Sequence, residues 1–307
     1  MSNVLVTGGA GFIGSHVCDL LKAQGHDVLA VDDLSTGSRN NLDRSIGFIQ
    51  MDVRSADLEP LMDDARVEVV MHLAAQSGVP TSVVDPVKDA SINVAGSVNV
   101  LEAAAKAGVR KVVYAASGGT LYGSPPRLPV TEDMAAGAIP TTPYGISKKV
   151  VEHYLLYFRS EFGTDFTQIA LANIYGPRQD PLGEGGVIAI FGKLMLEGRQ
   201  PTIYGDGEQT RDFVYVSDVA RAFVAAIDKG SGRLINVGTG KQTSVNQIYE
   251  AMAEATGYAG EPIQAPARPE ERHNALDNSL AAQLLSWQPE VALEDGLAAT
   301  VEHIRAR

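Results

Sequence analysis

The stretch VTGGAGFIG, residues 6–14, decides the fold, because it joins a short apolar run to a segment with helical spacing. Gly8 permits a tight turn, Gly11 lets the backbone approach a phosphate group, and Gly14 lets the helix pack closely on the strand. The N–H groups of the first helical turn, from Phe12 and Ile13 onward, then face that phosphate. The stretch predicts a dinucleotide-binding turn between the first strand and the first helix.

An acidic residue follows this turn at the distance that dinucleotide-binding folds use. Asp32 closes the second apolar run roughly 20 residues beyond the glycines, where a carboxylate binds the ribose hydroxyls of NAD. Its charge repels the additional phosphate of NADP, whereas Arg39 nearby would attract it, and NAD is the cofactor we predict. Asp52 and Val53 follow the third apolar run and are expected at the adenine, with a solvated Asp52 as the alternative.

The first half of the chain alternates short apolar runs with stretches of helical spacing. The runs lie at 4–6, 28–31, 48–49, 67–73, 111–116 and 166–171, and the helical stretches at 12–24, 85–107 and 145–162. This rhythm is typical of a parallel sheet covered by helices on both faces. The predicted fold class is α/β, a doubly wound parallel (Rossmann) sheet with a smaller C-terminal α/β lobe.

Glycine and proline crowd residues 176–186, and the elements after them are shorter. We therefore expect a dinucleotide-binding domain over residues 1–175 and a lobe over residues 176–307 that mainly binds the substrate. Residues 212–240 again show strand and helix patterns and are expected to return to the main sheet. Ligands of open α/β sheets bind beyond the carboxyl ends of the strands, so the chemistry is expected there.

The bulk composition argues against several classes of partner. The chain has 307 residues, 45% of them hydrophobic, and a net charge of −12. An acidic chain without a dense Lys/Arg cluster argues against nucleic acid and anionic membranes. Cys18 is the only cysteine, which excludes an internal disulfide and a cysteine-built metal site, and no metal is predicted. No signal peptide or run long enough to span a bilayer is visible, so we expect the cytoplasm.

Tyr144 and Lys148, in the stretch PYGISKK, stand four residues apart on one face of a helix that Pro143 helps to start. A lysine ammonium and a nicotinamide cation near the phenol would lower the pKa of Tyr144 from about 10 toward neutrality. Tyr144 is then a candidate general base at cellular pH. On spacing alone the alternative is a surface tyrosine and lysine on an amphipathic helix, and the glycine turn argues against it.

Motifs along nearly the whole chain carry a resemblance to a known superfamily: TGGAGFIG at 7–14, DDLSTG at 32–37, HLAAQ at 72–76, YGISK at 144–148, NIYGPR at 173–178 and RDFVYVSDVA at 211–220. With them the chain resembles the extended short-chain dehydrogenase/reductase superfamily, and within it the NAD-dependent nucleotide-sugar epimerases, most closely those that act on UDP-glucose. The resemblance implies reversible C4 epimerisation of UDP-glucose and UDP-galactose through a transient 4-keto sugar, with tightly bound NAD.

The resemblance also implies roles for residues near the cofactor. Tyr144 would take the proton from the C4 hydroxyl, Lys148 would tune Tyr144 and bind the nicotinamide ribose, and Ser117 would hydrogen-bond the C4 oxygen. Near the nicotinamide the resemblance places Leu73, Ala74, Ala75 and Asn93. We interpret His72 as a packed strand residue, not as a catalyst.

For the UDP-sugar partner, the resemblance implies contacts from the C-terminal half. Asn173, Arg211 and Arg268 match residues that contact the diphosphate, where the planar guanidinium fork of arginine suits the ligand. A solvated surface arginine is the alternative for Arg268. Tyr204 matches the segment that binds the uracil, and Asn274 matches the position beside the C2 substituent of the sugar.

The stretch AASGGTLYG, residues 115–123, distinguishes related reactions. Dehydratases of this superfamily carry an Asp-Glu pair beside their threonine and decarboxylases place a glutamate there, whereas this chain has Gly118, Gly119 and Thr120. The catalytic hydroxyl of the family usually stands four residues before Tyr122, at position 118. Ser117 takes that role if the glycines bulge, and Thr120 is the alternative hydroxyl.

Other functions stay open at this point. The glycines after Ser117 do not separate UDP-glucose from UDP-N-acetylglucosamine or UDP-glucuronate, which are alternative substrates, and the small side chain of Asn274 would tolerate an N-acetyl group. Dehydratase or decarboxylase chemistry is the next alternative. A non-catalytic NAD-sensing regulator is a remote alternative, and the presence of both Tyr144 and Lys148 argues against it. The resemblance implies a homodimer formed by helices near 88–107 and 146–161, whose apolar faces would otherwise be buried within one chain.

Overall fold

The computed structural model describes residues 1–181, 186–268 and 271–306. Its strands are β1 (Asn3–Thr7), β2 (Asp27–Asp32), β3 (Gly47–Gln50), β4 (Val69–His72), β5 (Lys111–Ser117), β6 (Asp165–Leu171), β7 (Asn173–Tyr175), β8 (Thr202–Tyr204), β9 (Thr210–Arg211), β10 (Phe213–Tyr215), β11 (Arg233–Val237), β12 (Thr243–Ser244) and β13 (Ile263–Ala265). Its α-helices are α1 (Phe12–Ala23), α2 (Leu58–Asp64), α3 (Val79–Val84), α4 (Pro86–Ala90), α5 (Gly96–Lys106), α6 (Pro143–Phe162), α7 (Val187–Leu196), α8 (Val216–Ala225), α9 (Val245–Thr256), α10 (Ser279–Leu285) and α11 (Leu293–Arg305).

A seven-stranded sheet forms the centre of the fold, and every pair of neighbouring strands in it is parallel. The strands lie in the order β11-β6-β5-β4-β1-β2-β3. This order changes direction between β1 and β4, as in a doubly wound fold. The predicted fold class is therefore confirmed.

The strands of this sheet are apolar because helices cover both of its faces. All four residues of β4 are buried, as are the last four of β1. Helix α1 packs against α8, whereas α5 packs against α2 and α6. The hydrophobic core between these layers extends to the single tryptophan, Trp287.

Helices α4 and α5 are joined by a π-helical turn over Ser91–Ala95, so residues 86–106 form one helical stretch. The helix predicted over residues 85–107 is therefore present, with a π turn that the sequence pattern does not show. Asp85 caps its start by accepting the Lys88 N–H, and Gly108, with a φ of +70°, follows its end. π turns within helices are frequent at functional sites, and this one carries Asn93.

A smaller hydrophobic core lies in the C-terminal part of the chain, where α7, α9 and α11 pack together. Two-stranded pairs accompany it, β7 with β10, β8 with β13, and β9 with β12. Residues 212–240 contribute to both parts, since β10 lies beside β7 whereas β11 forms one edge of the large sheet.

Two features of the described ranges bear on function. Among these residues, no helix combines the length and the apolar character needed to cross a bilayer. Within the same ranges, no group of His, Cys, Asp or Glu side chains is arranged to hold a metal ion.

The direction of the strand order changes between β1 and β4, so the carboxyl ends of these strands are where ligands of such a sheet bind.

Candidate active site

The glycine turn between β1 and α1 has no room for a side chain at two positions. A Cβ atom on Gly8, whose φ is +68°, would lie 2.7 Å from the Ala74 backbone nitrogen. A Cβ atom on Gly14 would lie 2.1 Å from the Gly8 carbonyl oxygen. Both contacts are with backbone atoms, which cannot rotate away as a side chain does. The two glycines therefore let α1, the turn and the segment after β4 approach one another closely.

The start of α1 is open beside this turn. Gly11 is the N-cap residue, and no side chain caps the helix. Among the described residues, a Cβ atom on Gly11 would meet only the Gly8 carbonyl oxygen, at 3.1 Å. Uncapped N–H groups at the positive end of a helix dipole attract a phosphate. The turn thus fits the pyrophosphate of a dinucleotide, with Phe12 and Ile13 at the first helical positions.

Asp32 is buried at the end of β2, close to the glycine turn. Its carboxylate accepts hydrogen bonds from the Ala10 N–H at 3.0 Å and the Leu34 N–H at 2.8 Å, and burial raises its pKa. Gly37 packs on it, since a Cβ atom there would lie 2.8 Å from Asp32 Oδ1. The carboxylate is therefore fixed in place, and a ribose diol is a ligand that suits it.

Arg39, the residue that would favour NADP, is engaged elsewhere. Its guanidinium donates to the Leu42 carbonyl oxygen at 3.1 Å. It also lies over the Phe48 ring, with 5.4 Å between the guanidinium carbon and the ring centroid. A guanidinium held in this way contributes to loop structure and is not free to bind a phosphate, which supports the NAD prediction.

Asp52 and Val53 follow β3, as predicted, but the Asp52 carboxylate already has a partner. Arg54 Nε donates to Asp52 Oδ1 at 2.9 Å, and this hydrogen bond lowers the pKa of Asp52. Val53 is buried, and its carbonyl oxygen accepts from Asn99 Nδ2 at 2.7 Å. If the adenine binds at this position, the Asp52 carboxylate that contacts it is already paired with Arg54.

The segment 73–75 follows β4 beside the glycine turn. The Leu73 N–H donates to the Thr7 carbonyl oxygen at 3.1 Å, and the Ala74 N–H donates to Thr7 Oγ1 at 3.3 Å. Leu73, Ala74 and Ala75 are only half-buried, so this backbone-anchored segment keeps surface available for a ligand. Their small or apolar side chains suit a flat aromatic ring such as nicotinamide.

Asn93 acts on this segment indirectly. The side chain is buried, its Nδ2 donates to the Gln76 carbonyl oxygen at 2.8 Å, and its Oδ1 accepts from the Gln76 N–H at 2.9 Å. Both ends of the amide are thus used to hold the residue that follows segment 73–75. The structure places Asn93 behind the segment, where it fixes the backbone.

His72 is buried between two hydroxyl groups. Its Nδ1 lies 2.7 Å from Thr7 Oγ1 and its Nε2 lies 2.9 Å from Ser97 Oγ. The Ser97 hydroxyl donates its proton to the Asn93 carbonyl oxygen at 2.6 Å, so its oxygen is free to accept a hydrogen bond. We therefore place the imidazole proton on Nε2, which donates a hydrogen bond to Ser97 Oγ. Burial, and secondarily the charge of Lys148, lowers the pKa of His72 to about 3. The side chain is a neutral, packed strand residue.

Tyr144 and Lys148 lie on the buried face of α6. Lys148 Nζ is 5.7 Å from the Tyr144 ring centroid and 4.9 Å from that of Tyr114. The ammonium donates to the Ala115 carbonyl oxygen at 2.9 Å. Burial lowers the pKa of Lys148 to about 8, against the opposing influence of Asp89. A cation is therefore held beside a phenol in a dry environment, where its charge acts strongly.

The two candidate hydroxyls differ in their surroundings. Ser117 ends β5 and is half-buried, and no residue of the described ranges hydrogen-bonds to its hydroxyl. Thr120 Oγ1 is fully buried and likewise finds no partner in that part of the chain. A Cβ atom on Gly145 would lie 2.7 Å from the Thr120 carbonyl oxygen, so Thr120 packs against the start of α6. Of the two, Ser117 has the more accessible hydroxyl.

Two of the three residues predicted for the sugar diphosphate, Asn173 and Arg211, adjoin Asp212, which is buried. The Asn173 N–H donates to the Asp212 carbonyl oxygen at 2.8 Å, and Arg211 directly precedes Asp212. The Asp212 carboxylate accepts a hydrogen bond from the Leu276 N–H at 3.1 Å. Leu276 lies two residues after Asn274. Asn274 is buried, and its Oδ1 has no hydrogen-bond partner among the described residues.

Tyr204 and Arg268 form a second group. The Arg268 guanidinium carbon lies 3.5 Å from the Tyr204 ring centroid, a stacked cation–π contact. They come together because β8 and β13 pair, with Tyr204 opposite Ala265. The structure therefore joins the residue predicted for the uracil and one predicted for the diphosphate into one stacked pair.

Several buried polar residues of the site were missed by the sequence reasoning. They are Gln76, Ser82, Asp89, Ser147 and Asp212. One signal was visible for part of this set. Asp89, Asn93 and Ser97 recur every four residues on one helical stretch, which places polar groups on a single face, and that face is buried.

This arrangement is suited to proton transfer at a hydroxyl group. It combines a nearly buried phenol, a buried ammonium beside it, and an accessible serine hydroxyl at the adjoining strand end. A dinucleotide-binding edge, built from the glycine turn, Asp32 and the segment 73–75, lies at the carboxyl ends of the neighbouring strands. Such a combination supports oxidation and reduction of a carbon that carries a hydroxyl.

Comparison with known proteins agrees with this reading of the site. Residues 4–238 match the family described as the NAD dependent epimerase/dehydratase family. The chain is 48% identical to the UDP-glucose 4-epimerase of Mycolicibacterium smegmatis, over 98% of each protein. Among solved structures, the UDP-glucose 4-epimerase of Thermotoga maritima with UDP-glucose superposes with a TM-score of 0.96, at 45% identity and with 99% of each chain covered.

A relative of different specificity has nearly the same structure. The UDP-N-acetylglucosamine 4-epimerase of Methanobrevibacter ruminantium, solved with UDP-N-acetylmuramic acid, gives a TM-score of 0.93 at 33% identity. The match covers 99% of this chain and 98% of that one. The fold alone therefore does not select the sugar.

Proposed function

The chain belongs to the NAD-dependent epimerase/dehydratase family, and on that premise we propose that it interconverts UDP-glucose and UDP-galactose by reversible C4 epimerisation. The family is NAD-dependent, which confirms the cofactor predicted from the sequence. The observation that carries the proposal is the pairing of Tyr144 with the buried Lys148 beside the end of β5.

The residues of the chain have distinct tasks in the proposed reaction. The glycine turn, Asp32 and the segment 73–75 hold NAD. When bound, NAD supplies the hydride acceptor and donor for the C4 carbon of the sugar. The Lys148 ammonium stabilises the tyrosinate form of Tyr144, which takes the proton of the C4 hydroxyl and so becomes the neutral phenol. Ser117 hydrogen-bonds the C4 oxygen, and Tyr144 finally returns the proton to that oxygen. Because the hydride taken from C4 is also given back, no net oxidation occurs.

The loop after β5 supports epimerisation over elimination. Removal of water across C5 and C6 needs an acid and a base after the ketone has formed, and the related enzymes carry carboxylates in this loop. Here Gly118 packs against Leu276, because a Cβ atom on it would lie 2.4 Å from Leu276 Cδ1. Gly119 follows it, so the loop supplies neither proton-transfer group.

UDP-N-acetylglucosamine is the second candidate substrate, and the surroundings of Asn274 are compatible with it. Asn274 is buried, and its Oδ1 has no hydrogen-bond partner in the described part of the chain. A buried amide without a partner is costly unless a ligand or water satisfies it. An N-acetyl N–H or a C2 hydroxyl of a bound sugar would supply that hydrogen bond, so Asn274 suits either substrate.

We also propose that the chain forms a homodimer. Ile146, Tyr154 and Tyr157 are exposed apolar side chains on α6, and Val87 is exposed on the neighbouring α4. Exposed apolar residues repeated at helical spacing mark an interaction surface, and a second copy offers the same surface. Sedimentation of the protein and of an Ile146→Asp/Tyr157→Asp variant tests this, since the charges would prevent association.

The cytoplasm is the proposed location, because NAD and the UDP-sugar are both water-soluble nucleotides.

A substrate panel tests the proposed function. Purified protein is incubated with UDP-glucose, UDP-N-acetylglucosamine or UDP-glucuronate without added oxidant, and the products are resolved by NMR. We expect UDP-galactose from UDP-glucose, with NAD found in the purified protein. Loss of carbon dioxide or water would overturn the epimerase proposal, and turnover of the N-acetyl sugar alone would select the second candidate.

A further inference from the structure

A buried carboxylate connects the cofactor side of the site with the catalytic helix. Asp89, on α4, has no exposed surface. Its Oδ1 accepts hydrogen bonds from Gln76 Nε2 and Asn93 Nδ2, each at 2.9 Å. Its Oδ2 accepts from Ser147 Oγ at 2.6 Å. None of these three donors carries a charge, so the hydrogen bonds solvate the carboxylate without neutralising it.

The positions of these donors matter for the site. Gln76 directly follows the segment 73–75, and Ser147 directly precedes Lys148 on α6. Asn93 belongs to the π-helical turn. One carboxylate thus ties together the cofactor segment, the π turn and the helix that carries Tyr144 and Lys148. A shift of any of these elements would break a buried hydrogen bond and leave a buried polar group without its partner.

The Asp89 carboxylate lies near Lys148, because Ser147, the residue directly before Lys148 on α6, donates to it. The charge of Asp89 raises the pKa of Lys148 against the effect of burial. Other titratable groups also face Lys148. His72 on β4 is neutral near pH 7 because its pKa is about 3, burial raises the pKa of Tyr114 on β5, and Tyr144 is the phenol whose ionisation the Lys148 ammonium favours.

We propose that Asp89 is a positioning residue for the epimerisation, aligning segment 73–76 with α6 and keeping Lys148 protonated beside Tyr144. This inference rests on the proposed catalytic roles of Tyr144 and Lys148. An amide in the place of the carboxylate would keep the three hydrogen bonds, because its oxygen accepts from Gln76 and Asn93 and its nitrogen donates to Ser147. Asp89→Asn therefore removes the charge and leaves the geometry.

The first test follows the proton on Lys148 itself. Protein labelled with [¹³Cε]lysine is titrated by NMR, and the Lys148 signal is assigned by its loss in Lys148→Arg. We expect a midpoint near 8 in the wild-type protein and a midpoint about one pH unit lower in Asp89→Asn. Ser147→Ala is the matched control, because it removes a hydrogen bond and keeps the carboxylate, and its midpoint should stay at the wild-type value.

The second test measures turnover of UDP-glucose against pH. Asp89→Asn should lose roughly sixfold more activity at about pH 8.5 than at about pH 6.5, because its Lys148 has then lost the proton. The NMR titration needs no substrate, so a wild-type protein inactive on UDP-glucose would refute the proposed function and leave the Asp89 test standing. An unchanged Lys148 midpoint in Asp89→Asn would refute the role of Asp89.

Folding of the variants is followed by the fluorescence of Trp287, which is buried. If Asp89→Asn does not fold, Asp89→Glu replaces it, since this variant keeps the charge. A folded Asp89→Glu with the wild-type Lys148 midpoint supports the proposal, and a lowered midpoint contradicts it. If neither variant folds, Asp89 is a residue of the fold alone and the proposal fails.

Discussion

The Lys148 ammonium donates a hydrogen bond to the Ala115 carbonyl oxygen at 2.9 Å, which fixes the cation to the strand that ends in Ser117. The contact explains how a charge can be held in a site with almost no solvent. It also orients the ammonium between the rings of Tyr114 and Tyr144. The catalytic helix and the strand end are thus joined by the residue that is proposed to activate the phenol.

Activity should fall as the pH rises through about 8, because burial lowers the pKa of Lys148 to that value from its ordinary 10.5. Above this pH the native protein loses the ammonium that stabilises the Tyr144 phenolate. The measurement is kcat for UDP-glucose between about pH 6 and pH 10. Lys148→Arg is the control, since its guanidinium stays charged and the alkaline decline should vanish at any residual rate. The same decline in both proteins would contradict the prediction.

Tyr144→Phe should lower kcat by about 10²–10⁴-fold, the usual contribution of a positioned proton-transfer group. The ring stays in place, so Trp287 fluorescence and the bound NAD should be unchanged. Tyr154→Phe is the matched control, because it removes a phenol from the exposed side of the same helix. A near-native rate for Tyr144→Phe would show that another group is the base.

Ser117→Ala should reduce kcat more than Thr120→Val does. The Ser117 hydroxyl is accessible at the strand end, whereas Thr120 Oγ1 is buried where the loop packs against Gly145. Removing a hydrogen bond to the reacting oxygen costs about 1.5–3 kcal/mol when the oxygen carries charge. Thr120→Val should instead leave kcat near wild type and preserve or raise thermal stability, since it removes a buried hydroxyl that has no partner in the described part of the chain. The opposite ranking of the two rates would assign the role to Thr120.

Gly14→Ala should abolish NAD retention and destabilise the fold, whereas Gly137→Ala should do neither. A methyl group on Gly14 would lie 2.1 Å from the Gly8 carbonyl oxygen, and only movement of the backbone could relieve that contact. At Gly137 a methyl group meets no atom within 4 Å. Nucleotide released on denaturation, together with the thermal midpoint, measures both effects. Normal NAD content in Gly14→Ala would show that the turn tolerates such movement.

The central sheet was predictable because burial on both faces imposes a simple pattern. Strands such as β4 and β5 have nearly every residue buried, so they appear as uninterrupted apolar runs, and a glycine turn marks the first crossover. The paired strands of the C-terminal part are only two or three residues long. Their partners are distant in sequence, as with Thr202–Tyr204 and Ile263–Ala265, and no local pattern announces them.

The catalytic pair could be predicted, whereas the network behind it could not. Tyr144 and Lys148 are neighbours on one helix, so their spacing alone brings them together. The Asp89 network combines residues that are 13 and 58 positions apart in the chain. Such contacts depend on which helix faces meet, and a buried aspartate looks in sequence like any solvated one. The stacking of Arg268 on Tyr204 was missed for the same reason.

Acid should destabilise the protein partly through His72. The side chain is fully buried, and its pKa falls from an ordinary value of 6.5 to about 3 in the folded state. Between these two values the unfolded chain binds a proton that the folded chain does not, so stability falls as the pH falls below about 6.5. The cost for this one group is about 1.4 kcal/mol per pH unit.

The measurement compares the wild-type protein with His72→Gln in urea, followed by Trp287 fluorescence between about pH 4 and pH 7.5. The variant keeps a donor toward Ser97 but leaves the Thr7 hydroxyl without its acceptor, so near neutrality it should be about 1–3 kcal/mol less stable. That deficit should shrink by about 1.4 kcal/mol for each pH unit below about 6, because only the wild-type protein must keep an imidazole unprotonated. His153→Gln, which replaces an exposed histidine on α6, serves as the control and should follow the wild-type curve. A deficit that stays constant with pH would mean that His72 is protonated within the folded core. Its Nδ1 would then donate to Thr7 Oγ1, the reverse of the assignment made here, whereas Nε2 would still donate to Ser97.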